Sequence, residues 1–332
     1  MLIIEEYFVL ILQLIIICCS NETKPKLNLD EFFNNTDYQQ LSFSPTGEHL
    51  LIQSRRPSWN SSSFDISLWL FYVKEKTTKL IAHNLPSFSK PVWSPTGKHI
   101  AFLLNEDSTI TYVGTPEHHL YLYSIISNQL VPISVGNNIP FILTWADNDS
   151  SLFFTTILFG STNEDKNEWK DVIRHRRTQT NGATAIHRIN ITEPTKINLI
   201  RNVPFFIGEL LYVPLLNKLV FTSVSRVIEQ LDIIEIYSID LQNSMSMLRL
   251  TNNEGIEQDL KLSRDGRHIL FRMFTLGSDR NKFTETFDRL FSIDLNNEKI
   301  ESFGKDFTGT VTGYAIKVDG SILIVGQLGT ET

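Results

Sequence analysis

Cysteine is almost missing from this chain: two residues in 332, adjacent at Cys18 and Cys19. Neighbouring cysteines near one end cannot build a disulfide framework, and no paired C-x-x-C or H-E-x-x-H exists to hold a metal. Basic excess is missing too. Thirty Lys and Arg against 37 Asp and Glu give a formal charge of −7 and a pI near 5.7, which argues against a nucleic-acid surface, since that needs a concentrated basic face. No Walker loop and no G-x-S-x-G elbow occurs; Ser161, Ser278 and Ser321 follow glycines directly but lack the elbow's spacing. After residue 20 no segment keeps a long helical period. The sequence implies no cofactor.

What the chain does contain is aromatic and repetitive. Aromatics make up 11% of it, with 22 Phe, and aromatic rings suit pleated, half-buried surfaces. The stretch Trp93 to Phe102, WSPTGKHIAF, reads as a strand end, a turn and the start of the next strand. Pro95 presets φ for the turn and Gly97 tolerates positive φ. FSPTGEHLLI from Phe43 repeats it without a gap, with Pro45 and Gly47 in the turn. LSRDGRHILF from Leu262 has Asp265 and Gly266, and IKVDGSILIV from Ile316 has Asp319 and Gly320. WADNDSSLFF from Trp145 puts Asp147 and Asn148 in the turn, and YVPLLNKLVF from Tyr212 is a degenerate copy. The units begin at 43, 93, 145, 212, 262 and 316, so successive starts lie 50, 52, 67, 50 and 54 residues apart. Units of about 40–55 residues with several short strands each predict a β-propeller. The competing reading is a set of coincidental hairpins in a sandwich.

The expected architecture is all-β, with about six four-stranded antiparallel blades starting near 38, 90, 141, 205, 256 and 310, over residues 38–332. Too few residues follow the sixth unit for a third and a fourth strand, so the last blade is expected to be incomplete. Unit positions one and ten, where the aromatics sit, are expected to pack between blades. Third strands are expected at Leu68–Tyr72, His119–Ser124, Ile236–Leu241 and Leu290–Leu295, and blade two's fourth at Gln129–Val135. The wide 67-residue offset marks a charged insertion in blade three at 160–182. It reads either as a solvated excursion or as a loop whose arginines, Arg174, Arg176 and Arg177, grip a carboxylate.

Residues 1–20 stand apart. Tyr7 to Cys19 is apolar except Gln13 and too short for a comfortable membrane span of about 20 residues. Small residues before Asn21 suit a signal-peptide cleavage site, while Glu5 and Glu6 depart from the usual basic start. Cleavage would remove both cysteines and the two glutamates. An uncleaved membrane anchor or a misplaced start are the alternatives. A polar segment follows over 21–37. Sequons at Asn21, Asn34, Asn60, Asn148 and Asn190 agree with a secreted glycoprotein, though a chain this rich in Asn, Ser and Thr yields about as many by chance.

Three of the eight histidines are explained by the repeat: His49, His99 and His268 share unit position seven and so belong to different blades. His118 and His119 are neighbours on a strand and point to opposite faces, poor geometry for a shared metal.

The run Arg249 to Gly255 through Leu262 to Phe271, with the Tyr-x-Ile-Asp-Leu third strands and the insertion ending Trp169-Lys-Asp-Val-Ile-Arg174, resembles the propeller repeats of the prolyl oligopeptidase family and TolB. That family includes dipeptidyl and acylaminoacyl peptidases. The resemblance implies a propeller that caps an α/β-hydrolase domain and admits short peptides. These 332 residues contain no such domain, so no catalytic residue carries over, and the domain is expected in cis in a longer form. Some members hold a peptide's amino terminus with propeller carboxylates. Glu254 and Glu257 fall in a loop before the fifth unit, with nothing to place them at a tunnel mouth. Three readings stand: a non-catalytic, substrate-gating propeller of a serine peptidase; a stand-alone secreted TolB-like propeller that binds a peptide or protein; and an enzyme with its site on the propeller itself, for which no convergent acid pair is visible.

Overall fold

The computed structural model describes residues 34–328 apart from 60–61, 87–88, 111–115, 147, 159–182, 225–233, 243–245, 254, 276–287, 305, 308 and 318. Residues 1–20, the sequons at Asn21 and Asn60, Asp147, Glu254 and the insertion over 160–182 lie outside the described residues.

The strands run as consecutive antiparallel meanders. Blade one comprises β1 (Asp37–Phe43), β2 (His49–Ser58), β3 (Ser63–Tyr72) and β4 (Thr77–His83). Blade two comprises β5 (Val92–Trp93), β6 (His99–Ile110), β7 (Pro116–Ser124) and β8 (Leu130–Ile133). Blade three has β9 (Pro140–Trp145), β10 (Ser151–Leu158), β11 (Ala183–Asn190) and β12 (Glu193–Val203). Blade four has β13 (Phe206–Val213), β14 (Lys218–Val224), β15 (Ile236–Asp240) and β16 (Met247–Arg249). Blade five has β17 (Gly255–Leu262), β18 (His268–Thr275), β19 (Asp288–Asp294) and β20 (Ile300–Phe303), and a sixth sheet has β21 (Thr310–Ile316) and β22 (Ile322–Gln327). The fold is therefore a β-propeller of five four-stranded blades and a two-stranded sixth. First strands of neighbouring blades touch one another, β13 with both β9 and β17, so they line the axis.

Each ten-residue unit joins a first strand to a second. In blades one to five position one pairs with position eight, as in Phe43 with Leu50, Trp145 with Leu152 and Leu262 with Ile269. The turn between them is closed twice. The position-two amide donates to the position-seven carbonyl, Ser44 to His49 and Ser94 to His99, at 2.8 and 2.9 Å. The position-two hydroxyl then accepts the position-seven amide, at Ser44, Ser94 and Ser263. Gly47, Gly97 and Gly266 sit at φ +75°, +74° and +69°, where a side chain would be strained. The degenerate fourth copy solves the same turn with a 3₁₀ segment, Pro214–Leu216, ended by Asn217 in the left-handed region.

The sixth copy differs from its gapless sequence match. Ile316 pairs with Ile322, position one with position seven, and Lys317 closes the turn on Ser321. One turn residue is missing, so each later residue of this unit takes the role of the next position elsewhere. Ile324 occupies the inward place that Phe102, Phe154, Phe221 and Phe271 fill in other blades, and Val325 faces out.

Packing follows one rule. Position nine of a blade meets positions eight and ten of the next. Leu51 packs with Ile100 and Phe102, Ala101 with Leu152 and Phe154, and Phe153 with Leu219 and Phe221. Val220 packs with Ile269 and Phe271, and Leu270 with Ile322 and Ile324. Position ten also faces an aromatic across the hairpin, which explains the third-strand motif: Phe221 stacks on Tyr237 at 6.1 Å and Phe271 on Phe291 at 5.8 Å. Trp93 and Trp145 lie between blades as expected. Phe43 does not; it is 57% exposed, because no described blade precedes it.

Candidate functional face

The two rims of the propeller are built differently. One carries the unit turns and the tight turns between third and fourth strands. The other carries the connections between second and third strands. There β10 ends at Leu158 and β11 begins at Ala183, with 24 residues of sequence between them, and β14 and β18 end at Val224 and Thr275 on the same rim. Long connections on a rigid scaffold are where binding residues concentrate.

Close to this second rim the axial wall is polar. A bulge breaks the pairing of β17 between Gln258 and Lys261, with Asp259 at φ +60°. It leaves two amides without ladder partners, and Glu209 on β13 accepts both: Asp259 N at 3.0 Å and Leu260 N at 2.8 Å. Lys90, ahead of blade two, reaches Glu209 on blade four at 3.4 Å. Arg272 binds Asp288 at 3.0 Å and the Val311 carbonyl at 3.2 Å. The Tyr314 hydroxyl contacts the carbonyls of Asp259 and Leu270, and burial, followed by the nearby Asp259 and Glu209 carboxylates, pushes its pKa up.

A second cluster joins blades four and five. Glu235 and Glu257 are 3% and 1% exposed. Glu235 accepts from Arg249 Nη2 at 2.6 Å, the Thr251 hydroxyl at 2.6 Å and the Asn253 amide at 3.0 Å. Asn253 Nδ2 donates to Glu257 Oε1 at 2.6 Å. Above the pair a parallel bridge links Ile234 to Ile256. Burial pushes Glu257 up to about 7, Asn253 opposes that shift, and Glu235 adds to it. Glu257 thus belongs to β17 rather than to a loop, and it is sealed from solvent. The pair bonds to its own blades and presents no surface to a substrate.

The third feature is a cleft of about 340 Å³ between blades three and four, bordered by Phe141, Thr155, Ile157, Thr184, Phe206 and Gly208. It opens where two first strands bulge, around Ile142 and at Gly208. Ile157 and Thr184 border it at the foot of the insertion.

The sequence-selected residues are dispersed. Pro45, Gly47, Pro95, Gly97, Asp265, Gly266, Asp319 and Gly320 all lie on the turn rim, away from these clusters. Asp265 is held down to about 2: burial opposes this, but bonds from Ser263, the Arg267 amide and His268 outweigh it. Asn34 and Asn148 are exposed and Asn190 half-buried. The side-chain oxygens of Asn148 and Asn190 accept bonds from Ser150 and Thr192 of their own sequons. The position-seven histidines serve the turns. His49 lies 6.4 Å from Trp93 and His99 stacks on Trp145 at 6.4 Å, and His268 pairs with Asp265 at 2.8 Å. Among the described residues no three His, Cys, Asp or Glu side chains are grouped to hold a metal.

No family model and no curated protein matches the chain. Solved structures do. The acylaminoacyl peptidase of Pyrococcus horikoshii superposes with a TM-score of 0.60 at 13% identity, over 89% of this chain and 43% of that one. The β-propeller domain of the trilobed protease from Pyrococcus furiosus gives 0.56 at 15%, over 89% and 78%. Hydrazine synthase from Kuenenia stuttgartiensis gives 0.56 at 13%, over 92% and 77%. At such identities the likeness establishes the propeller fold. The chain spans less than half the length of the acylaminoacyl peptidase.

Proposed function

We propose that this chain is the non-catalytic propeller of a serine peptidase resembling the prolyl oligopeptidase family, gating short peptides on their way to an α/β-hydrolase domain in cis. The observation that carries the reading is the asymmetry of the rims: one has tight turns, and the other has a polar axial wall and the ends of strands that long stretches of sequence join. A rim of that kind suits a cap over an active site, and the likeness to acylaminoacyl peptidase supports it. In this reading residues 1–20 direct the protein to the secretory route, and Asn34, Asn60, Asn148 and Asn190 receive glycans. The exposed Asn34 and Asn148 are the most accessible of the described sites.

The second reading is a stand-alone secreted propeller that binds a peptide or protein partner. Its support is the comparable likeness to hydrazine synthase, which is no peptidase by name.

The test is to sequence full transcripts and assay their products on a panel of short peptides. An in-frame hydrolase domain whose elbow serine, mutated to Ala, abolishes turnover supports the first reading. Transcripts ending after Thr332, together with a partner captured through the long-connection rim, favour the second.

A further inference from the structure

Glu257 is sealed in the seam between blades four and five and is left short of partners. Of the four carboxylate oxygens there, the two of Glu235 take Arg249, the Asn253 amide and the Thr251 hydroxyl. Glu257 Oε1 takes Asn253 Nδ2, and Glu257 Oε2 is buried with no hydrogen-bond partner. Thr251 has no second proton to give, since its hydroxyl donates to Glu235 and accepts the Ile236 amide. Among the described residues no cation pairs with Glu257. Met273 stands opposite it on β18, while the neighbouring Arg272 binds Asp288. Ser223 of β14 bonds to the Glu235 backbone, and Glu209 of β13 caps the bulge farther along β17. The charged groups of the pair are therefore Glu235 itself and Arg249, which pairs with Glu235 from a half-exposed position.

Two ionised carboxylates sealed against one arginine leave a negative charge unpaired, and a buried unpaired charge costs far more than a neutral acid in the same place. A proton on Oε2 removes that charge. Water solvates it only where the blades part. Just above the pair the blades are joined by the Ile234–Ile256 bridge, through Ile234 N to the Gly255 carbonyl at 3.2 Å and Glu257 N to the Ile234 carbonyl at 3.3 Å. We propose that this seam is a proton-held latch: it stays closed while Glu257 carries a proton, and it opens locally at the Ile234–Ile256 bridge when that proton leaves. Both blades stay folded when it opens, because the bridge lies outside their ladders. Burial, with Glu235 adding to it, raises Glu257 to about 7, which supports a change near neutral pH. The inference does not depend on the peptidase reading.

Native-state hydrogen exchange on the full chain tests it, read at the Ile234 and Glu257 amides at pH 5 and pH 8 and corrected for the intrinsic pH dependence of exchange. An opening that frees Glu257 should grow roughly 10- to 100-fold over that range. The loss of protection should be independent of urea below the unfolding transition, as a local opening requires. Glu257→Gln, neutral at both pH values, should show no such loss. Equal protection at pH 5 and pH 8 overturns the proposal, as does a loss that persists in Glu257→Gln or that follows urea as global unfolding does. If Glu257→Gln does not fold, the carboxyl carbon-13 shift of Glu257 in the parent decides. It should titrate where the two amides lose protection, and a carboxyl that is already ionised at pH 5 overturns the proposal, as does a titration at a different pH from the opening.

Discussion

The indole N–H of Trp145 donates to the carbonyl of Val92, one blade earlier, at 3.1 Å. Trp93 does the same to Ser42 at 3.0 Å. In both pairs the acceptor immediately precedes position one of the earlier unit. The bond therefore repeats with the sequence and fixes how far one blade rotates against the next.

Removing that bond while keeping a ring gives a graded outcome. Trp145→Phe should cost about 1–2 kcal/mol, because a half-buried carbonyl loses its donor. Trp145→Ala should cost about 3–5 kcal/mol, because a cavity opens as well. Urea unfolding of the two variants checks the order and the gap.

The wall charges separate into a cap and a bystander. Glu209→Ala strands the two amides of the β17 bulge and should cost about 2–4 kcal/mol. Lys90, 70% exposed, contributes little to stability, so Lys90→Ala should change it by less than about 1 kcal/mol. Equal effects from the two substitutions would contradict the assignment of Glu209 as the bulge's cap.

Glu257 makes stability depend on pH. Its folded pKa of about 7 lies above the ordinary 4.5, so the folded state binds the extra proton between those values. Stability is then full below about pH 4.5 and falls as pH rises through 7. The fall attributable to this group is about 3 kcal/mol by pH 8. Glu257→Gln should remove most of that fall, measured as unfolding free energy at pH 5 and pH 8.

The turn glycines should rank by their surroundings. A Cβ on Gly47 meets nothing within 4 Å, whereas one on Gly97 comes to 3.3 Å from Pro45 Cδ of the preceding turn. Both alanine variants pay for positive φ, about 1–2 kcal/mol. Gly97→Ala should be the more costly in thermal unfolding.

How much of this was legible in the sequence depended on periodicity. The unit turns and the aromatic third strands recur at fixed positions, so Trp93, Trp145 and Tyr237 could be placed from spacing alone. What spacing misses is geometry that breaks it. The sixth unit aligns without a gap yet pairs one residue short, because Ile322, Leu323 and Ile324 are all apolar and fit either register. Glu209 and Glu257 carry no local signal either. Their roles arise from a bulge and from a bridge between blades, and both contacts join residues far apart in the chain. Asn217 replaces a turn glycine through a 3₁₀ segment that its proline hints at but does not specify.

The chain forms a propeller, and on the proposed reading that propeller contributes no catalytic serine. Incubating the purified chain with a fluorophosphonate probe for activated serines, then mapping any adduct by mass spectrometry, addresses it most directly. The account predicts no labelled serine and no turnover of peptide substrates under the same conditions. A stoichiometric adduct on one serine, together with turnover lost when that serine becomes alanine, would contradict it.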